Sequence, residues 1–206
     1  MLKMKSMVHD VLIWPDPRLK AKAKPVSAVD AAVRKIIDDL LETMYAQDGV
    51  GLAAPQIGVS QRIVVIDRRP QVDPDKPQQP IVLINPVLMG GKGEAIWNEG
   101  CLSVPGEFED VQRFETITVR ALNREGQPFE ITDASGLLGI ALQHETDHLD
   151  GTLFVDHLST LKRELIRRRM KRLKAEMLAE GKSAKEILEE REEAEDAEGD
   201  RAEGAL

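Results

Sequence analysis

The chain has 206 residues with 42% hydrophobic side chains, enough to bury a core of its own, and no run approaches the roughly 18 consecutive apolar residues of a membrane span. Its single cysteine excludes an internal disulfide framework, and residues 1–5 are not followed by the apolar run of a signal peptide, so a soluble cytoplasmic protein with no membrane partner is expected. The net charge of −8 conceals a division, because residues 162–174 hold eight Lys/Arg against Glu164 alone while residues 175–206 hold four basic and twelve acidic residues.

In chain order, residues 8–14 form an apolar run stopped by Pro15-Asp16-Pro17, a pattern that predicts a short strand and a stiff turn. Asp30 can cap a helix over 31–47, in which Val33, Ile36, Ile37, Leu40, Leu41 and Met44 recur at three- and four-residue spacings. A glycine-punctuated loop over 48–58 precedes a strand at 62–66. Residues 68–80, with four prolines, predict an exposed loop before a strand at 81–84, which Asn85-Pro86 ends. Gly90-Gly91-Lys92-Gly93 predicts a turn, 116–122 a strand, and 128–132 its return after the turn at 123–126. From 137 to 149 the pattern is helical. The expectation is an α+β domain, strands and turns surrounding a central metal-binding helix, with the catalytic unit over 1–161. A basic amphipathic C-terminal helix follows over 162–182, stopped by Gly181, and the acidic, aromatic-free stretch 183–206 predicts a largely disordered tail with at most weak helix over 183–193.

The central helix carries His144-Glu145-Thr146-Asp147-His148. Histidines four apart project from one face and can share a metal ion, with Glu145 beside them to handle a proton. Two ligands are one short of a typical catalytic site. The longer pattern HExxHxxGxxH is followed through Gly151 but has Phe154 where its last histidine would stand, which argues against that class of protease. Glu164 lies in the basic helix and is expected to be exposed. Cys101 is the one thiolate-forming candidate, and a Cys/His/His site is the preferred reading. A chance HExxH on an ordinary helix, and a cysteine serving as a small buried hydrophobe, are the bland alternatives. His9 and His157 are read as non-ligands.

Three stretches together resemble a known family. Gly49-Val50-Gly51-Leu52-Ala53-Ala54-Pro55-Gln56, Glu99-Gly100-Cys101-Leu102-Ser103 and His144-Glu145-Thr146-Asp147-His148 look like the ordered motifs of bacterial peptide deformylases, and the likeness extends from about residue 8 to 161. The resemblance implies removal of the N-formyl group from the initiator methionine of nascent polypeptides, with release of formate. It implies Cys101, His144 and His148 as ligands of one divalent metal ion, usually Fe(2+), with nickel, cobalt or zinc also able to occupy such donors. It further implies Glu145 as general acid/base, Gln56 and the N–H of Leu102 as oxyanion donors, and backbone groups of Val50, Gly51 and Gly100 as the binding edge for an extended peptide. Similar deformylases dock on ribosomes through a basic C-terminal helix, which residues 162–174 resemble; a monomer is expected. Two departures stand out: Thr146 replaces a larger apolar residue, and Gly106-Glu107-Phe108-Glu109-Asp110 lacks an arginine that many relatives carry there.

Overall fold

The computed structural model describes residues 6–68, 75 and 77–203, with side chains described as far as residue 194. Most of the expected loop at 68–80, and residues 204–206, lie outside the described residues. Helix α1 (Ala31–Ala46) starts where Asp30 accepts a hydrogen bond from the Val33 N–H at 2.9 Å, and it buries Val33, Ile37, Leu40 and Met44. Strand β1 (Gly51–Ala53) and a 3-10 turn (Ala54–Ile57) replace the featureless loop expected there.

Strands β2 (Ile63–Ile66), β3 (Ile81–Lys92), β6 (Thr116–Leu122) and β7 (Pro128–Ser135) join β1 in an antiparallel sheet of order β1-β2-β3-β6-β7. All four residues of β2 are buried. Ile63 and Val65 pack with α1, while Val64 and Ile66 pack with α2 (Gly136–Leu149). The period-2 alternation of a strand thereby feeds two separate cores, and the sheet becomes the middle layer between two helices.

β3 continues through Asn85-Pro86 instead of ending there. Asn85 takes φ 52°, its side chain accepts from the Val26 N–H and donates to the Val26 carbonyl, both at 2.8 Å, and the register with β6 shifts between Ile84 and Val87. The missing donor of Pro86 thus falls in a bulge, where no ladder bond is required. The first apolar run is extended chain outside any strand: Leu12 N donates to Gln56 O at 2.8 Å and Trp14 N to Ser103 O at 2.9 Å.

A second, two-stranded sheet pairs β4 (Ala95–Cys101) with β5 (Val104–Arg113). It shares a core with Trp14, Phe154 and Val155, with Ile166, Met170 and Leu173 of α3 (Thr160–Glu180), and with Ala184 and Ile187 of α4 (Ala184–Glu203). Gly181 ends α3 in the left-handed region at φ 66°. The acidic stretch expected to lack order is therefore helical from Ala184 to Glu203, because Ala184 and Ile187 give its start an apolar anchor that composition alone conceals. Among the described residues, no helix is long and apolar enough to cross a membrane.

Candidate metal centre and active site

Helix α2 is buried on nearly every side. Gly139 lets it approach the sheet, since a Cβ there would lie 2.7 Å from the Ala134 carbonyl oxygen. Gln143 accepts from the Phe114 N–H and donates to the Phe114 carbonyl, each at 3.0 Å, which pins the helix to the β5–β6 link. The next turn carries His144 and His148 toward Cys101, the last residue of β4.

One ligand atom from each of Cys101, His144 and His148 lies within 4.8 Å of the others, so the three can hold a metal ion. Cys101 Sγ is 3.3 Å from His148 Nε2. The fit to a divalent cation is good on two counts. A thiolate and two imidazoles are donors suited to a borderline-soft metal. The outer nitrogen of His144, Nδ1, lies 2.8 Å from Glu99 Oε2, which leaves Nε2 to face the other donors, the way carboxylates orient metal-ligating histidines. Burial, reinforced by neighbouring His144, holds His148 well below the usual imidazole range and so in the neutral form a ligand needs.

Glu99 was visible only as part of the cysteine motif, and its orienting place emerges from the geometry. Arg113 donates to it through Nε at 2.6 Å and Nη2 at 2.9 Å, and through Nη1 to Asp147 Oδ2 at 2.6 Å. Burial opposes the charge on Glu99, but Arg113 and His144 hold its carboxyl below the ordinary range. A carboxylate two residues before a ligand was a signal that could have pointed to Glu99; nothing in the local pattern marked Arg113. His157 joins this web through Nε2, 2.8 Å from Asp147 Oδ2, and lies outside the donor group, as does His9. Phe154 is buried and its ring stacks at 22° to that of His144, with centroids 6.3 Å apart. Glu164 is exposed and pairs with Arg167. Thr146 turns its hydroxyl to the Leu142 carbonyl at 2.7 Å, within its own helix.

Glu145 is 5% exposed, its Oε2 is buried without a hydrogen-bond partner among the described residues, and burial pushes its carboxyl up to about 7. It sits hard against β1: a Cβ on Gly51 would lie 2.6 Å from Glu145 Oε1. Gln56 is fully buried, with Oε1 accepting from the Ala53 N–H at 2.8 Å. Its amide nitrogen is thereby turned to Ser103 Oγ at 3.2 Å and Cys101 Sγ at 3.7 Å. A cleft of about 1130 Å³ opens over these groups, lined by Val50, Gly51, Gln56, Gly100, Cys101, Leu102, His144 and Glu145. The structure thus gathers all but one of the expected site residues on one cavity; His148 lies beneath it, reached through Cys101.

An α+β fold with three converging metal donors beside a buried carboxylate, at the floor of an open cleft, is the arrangement of a metal-dependent hydrolase. A family model described as polypeptide deformylase matches residues 8–164. A peptide deformylase of Alkalilimnicola ehrlichii is 53% identical over 166 residues, 81% of this chain and 90% of that protein, and one of Azotobacter vinelandii is 50% identical over 79% of this chain and 94% of that protein. The crystal structure of a peptide deformylase from Legionella pneumophila superposes with a TM-score of 0.76 at 48% identity, covering 84% of this chain and 98% of that one. The chain belongs to the polypeptide deformylase family. It is an enzyme that removes the N-formyl group from nascent polypeptides.

Proposed function

We propose that Cys101, His144 and His148 hold a single ferrous ion, and that Glu145, Gln56 and the Leu102 N–H carry out deformylation beside it. A divalent cation on these donors supplies a Lewis acid that makes water nucleophilic near neutral pH and polarises the formyl oxygen. Glu145 accepts the proton of the attacking water as the new C–O bond forms at the formyl carbon. It returns that proton to the methionine nitrogen as the C–N bond breaks, and formate leaves. Gln56, its orientation fixed through Ala53, and the Leu102 N–H donate to the oxygen on which negative charge grows; one such donor is worth about 3 kcal/mol. The observation that carries this reading is the buried Glu145 Oε2, unpartnered among the described residues and facing the same cleft as the converging donors.

The peptide has a natural seat. β1 lies at one end of the sheet order, paired on one side with β2. An extended substrate added along its other edge would meet the backbone of Val50 and Gly51, with Gly100 across the cleft. Formate release from a formyl-Met peptide, measured with metal content, tests the scheme. The iron-loaded enzyme should turn over, and Glu145→Ala should keep its metal while losing about 10²–10⁴-fold in kcat. Wild-type protein inert as both its ferrous and nickel forms would overturn the assignment.

Exposed cations on α3 support ribosome docking through 162–174: the side chains of Arg168 and Arg172 are 75% and 81% exposed. Cations in this segment also pair within the chain, Lys162 with Glu109, Arg169 with Glu107, Arg172 with Glu176 at 3.0 Å and Arg168 with Glu164 at 4.0 Å. Charge reversal at Arg168, Lys171 and Arg172 should abolish salt-sensitive cosedimentation with ribosomes. Unchanged cosedimentation would sink this element of the proposal. We read the enzyme as a cytoplasmic monomer, which light scattering on the purified protein checks for mass.

A further inference from the structure

The cleft extends well past the metal donors. At about 1130 Å³ it exceeds the roughly 300–1,000 Å³ of ordinary small-ligand pockets, and its wall continues onto the end of α3 and the first turns of α4. Two contacts tie α4 to opposite rims. Lys185 Nζ donates to Asp48 Oδ2 at 2.7 Å, two residues before Val50. Leu188 covers Gly106 on β5, where an added Cβ would lie 3.2 Å from Leu188 Cδ1. Burial of Ala184 and Ile187 fixes the helix in this position, and the turn at Gly181 folds it back from α3. The family match ends at residue 164, so this wall lies beyond the matched segment.

Its charges are unevenly committed. Lys185 is held by Asp48, Lys182 by Glu180 and Glu190 at 3.0 and 2.6 Å, and Lys174 by the Ile13 carbonyl at 3.4 Å. Glu186 accepts from the N–H and hydroxyl of Ser183. Glu189, 4.0 Å from Lys185, and Glu192 are exposed and line the cleft.

We propose that α4 is the downstream wall of the substrate site: it contacts the residues that follow formylmethionine, and Glu189 and Glu192 favour peptides with basic side chains there. An extended peptide advances about 3.3 Å per residue, so a chain seated on the β1 edge outgrows the metal centre within a few residues and meets the helix that joins the two rims. The inference rests on the cleft being the formyl-peptide site. Turnover of formyl-Met-Ala, too short to depend on α4, tests that reading by itself.

The experiment compares kcat/KM for formyl-Met-Ala-Lys-Lys and formyl-Met-Ala-Glu-Glu on the full-length, iron-loaded enzyme, wild type and the double variant Glu189→Lys/Glu192→Lys. The wild type should prefer the lysine peptide by about three- to tenfold, through KM, with the preference collapsing in about 0.5 M salt. The double variant should reverse the order. Both positions are exposed, and the wild-type comparison stands whether or not the variant folds. A wild type with no preference, or a preference that the double variant leaves unchanged, overturns the proposal. Failure to turn over formyl-Met-Ala would instead overturn the reading beneath it.

Discussion

Gly51 shows how closely the residues of this site are fitted. The family likeness marked it for its backbone, as part of the edge that binds an extended peptide. The nearer neighbour is Glu145, whose Oε1 would be 2.6 Å from a Cβ at position 51, closer than real contacts allow. Gly51→Ala should therefore displace the carboxylate and lower kcat at least about tenfold, since small misplacements of a reacting group cost that much or more. Metal content and melting temperature should change little. An alanine variant with wild-type kcat would show that Glu145 tolerates the shift. The Cys/His/His set and Glu145 were legible because ligand spacing and donor chemistry are local properties. Glu99 and Arg113 were harder to see, since their pairing joins residues on two strands and becomes meaningful only when His144 swings over from α2.

Among the elements, those with a strong local signature came out close to expectation. Asp30 marked the start of α1, the strand at 116–122 was found at its observed limits, and Gly181 stopped α3. Asp30→Ala should cost about 1 kcal/mol, read as a lower midpoint in urea at unchanged slope, because the Val33 N–H loses its acceptor. Elements that depend on distant partners escaped. β3 passes through Asn85-Pro86 because Val26, 59 residues away, satisfies the Asn85 side chain. β4 and β5 were given no strand from the sequence because each exposes much of its length, and their pairing rather than their composition defines them. α4 reads as an acidic tail until Ala184 and Ile187 find the core.

At the scale of the whole molecule, several carboxylates link folding to pH in one direction. A hydrogen bond from Arg18 holds Asp16 at about 2. Burial opposes the charge on Asp39, but Lys35, His9 and the Met7 N–H hold it below the ordinary range, and Asp147 is likewise depressed against burial by His157 and Arg113. Each folded-state pKa lies below its unfolded value. The stability these groups contribute is complete above the ordinary carboxylate range near about 4 and is lost as pH falls through their folded values, about 2 for Asp16. Through these carboxylates the melting temperature should fall most steeply below about pH 4. A melting curve that declines evenly from pH 7 would contradict this account.

Cys101 ends a small sheet that stands apart from the main one, and His148 belongs to the helix packed on the main sheet. An ion gripping both would therefore behave as a removable staple, closing a loop across a sequence separation of 47 residues. By chain-entropy reasoning a closure of that length can add about 4 kcal/mol, with the bond being exchangeable where a disulfide's is not. Stripping the metal with a chelator should accelerate amide exchange in β4 and β5 far more than in β2, whose bonds lie outside the stapled loop. Equal acceleration in all three would mean that the ion tightens the molecule as a whole. On this view the catalytic ion has a mechanical duty as well as a chemical one: it couples the sheet that carries the outer wall of the cleft to the helix that carries its floor.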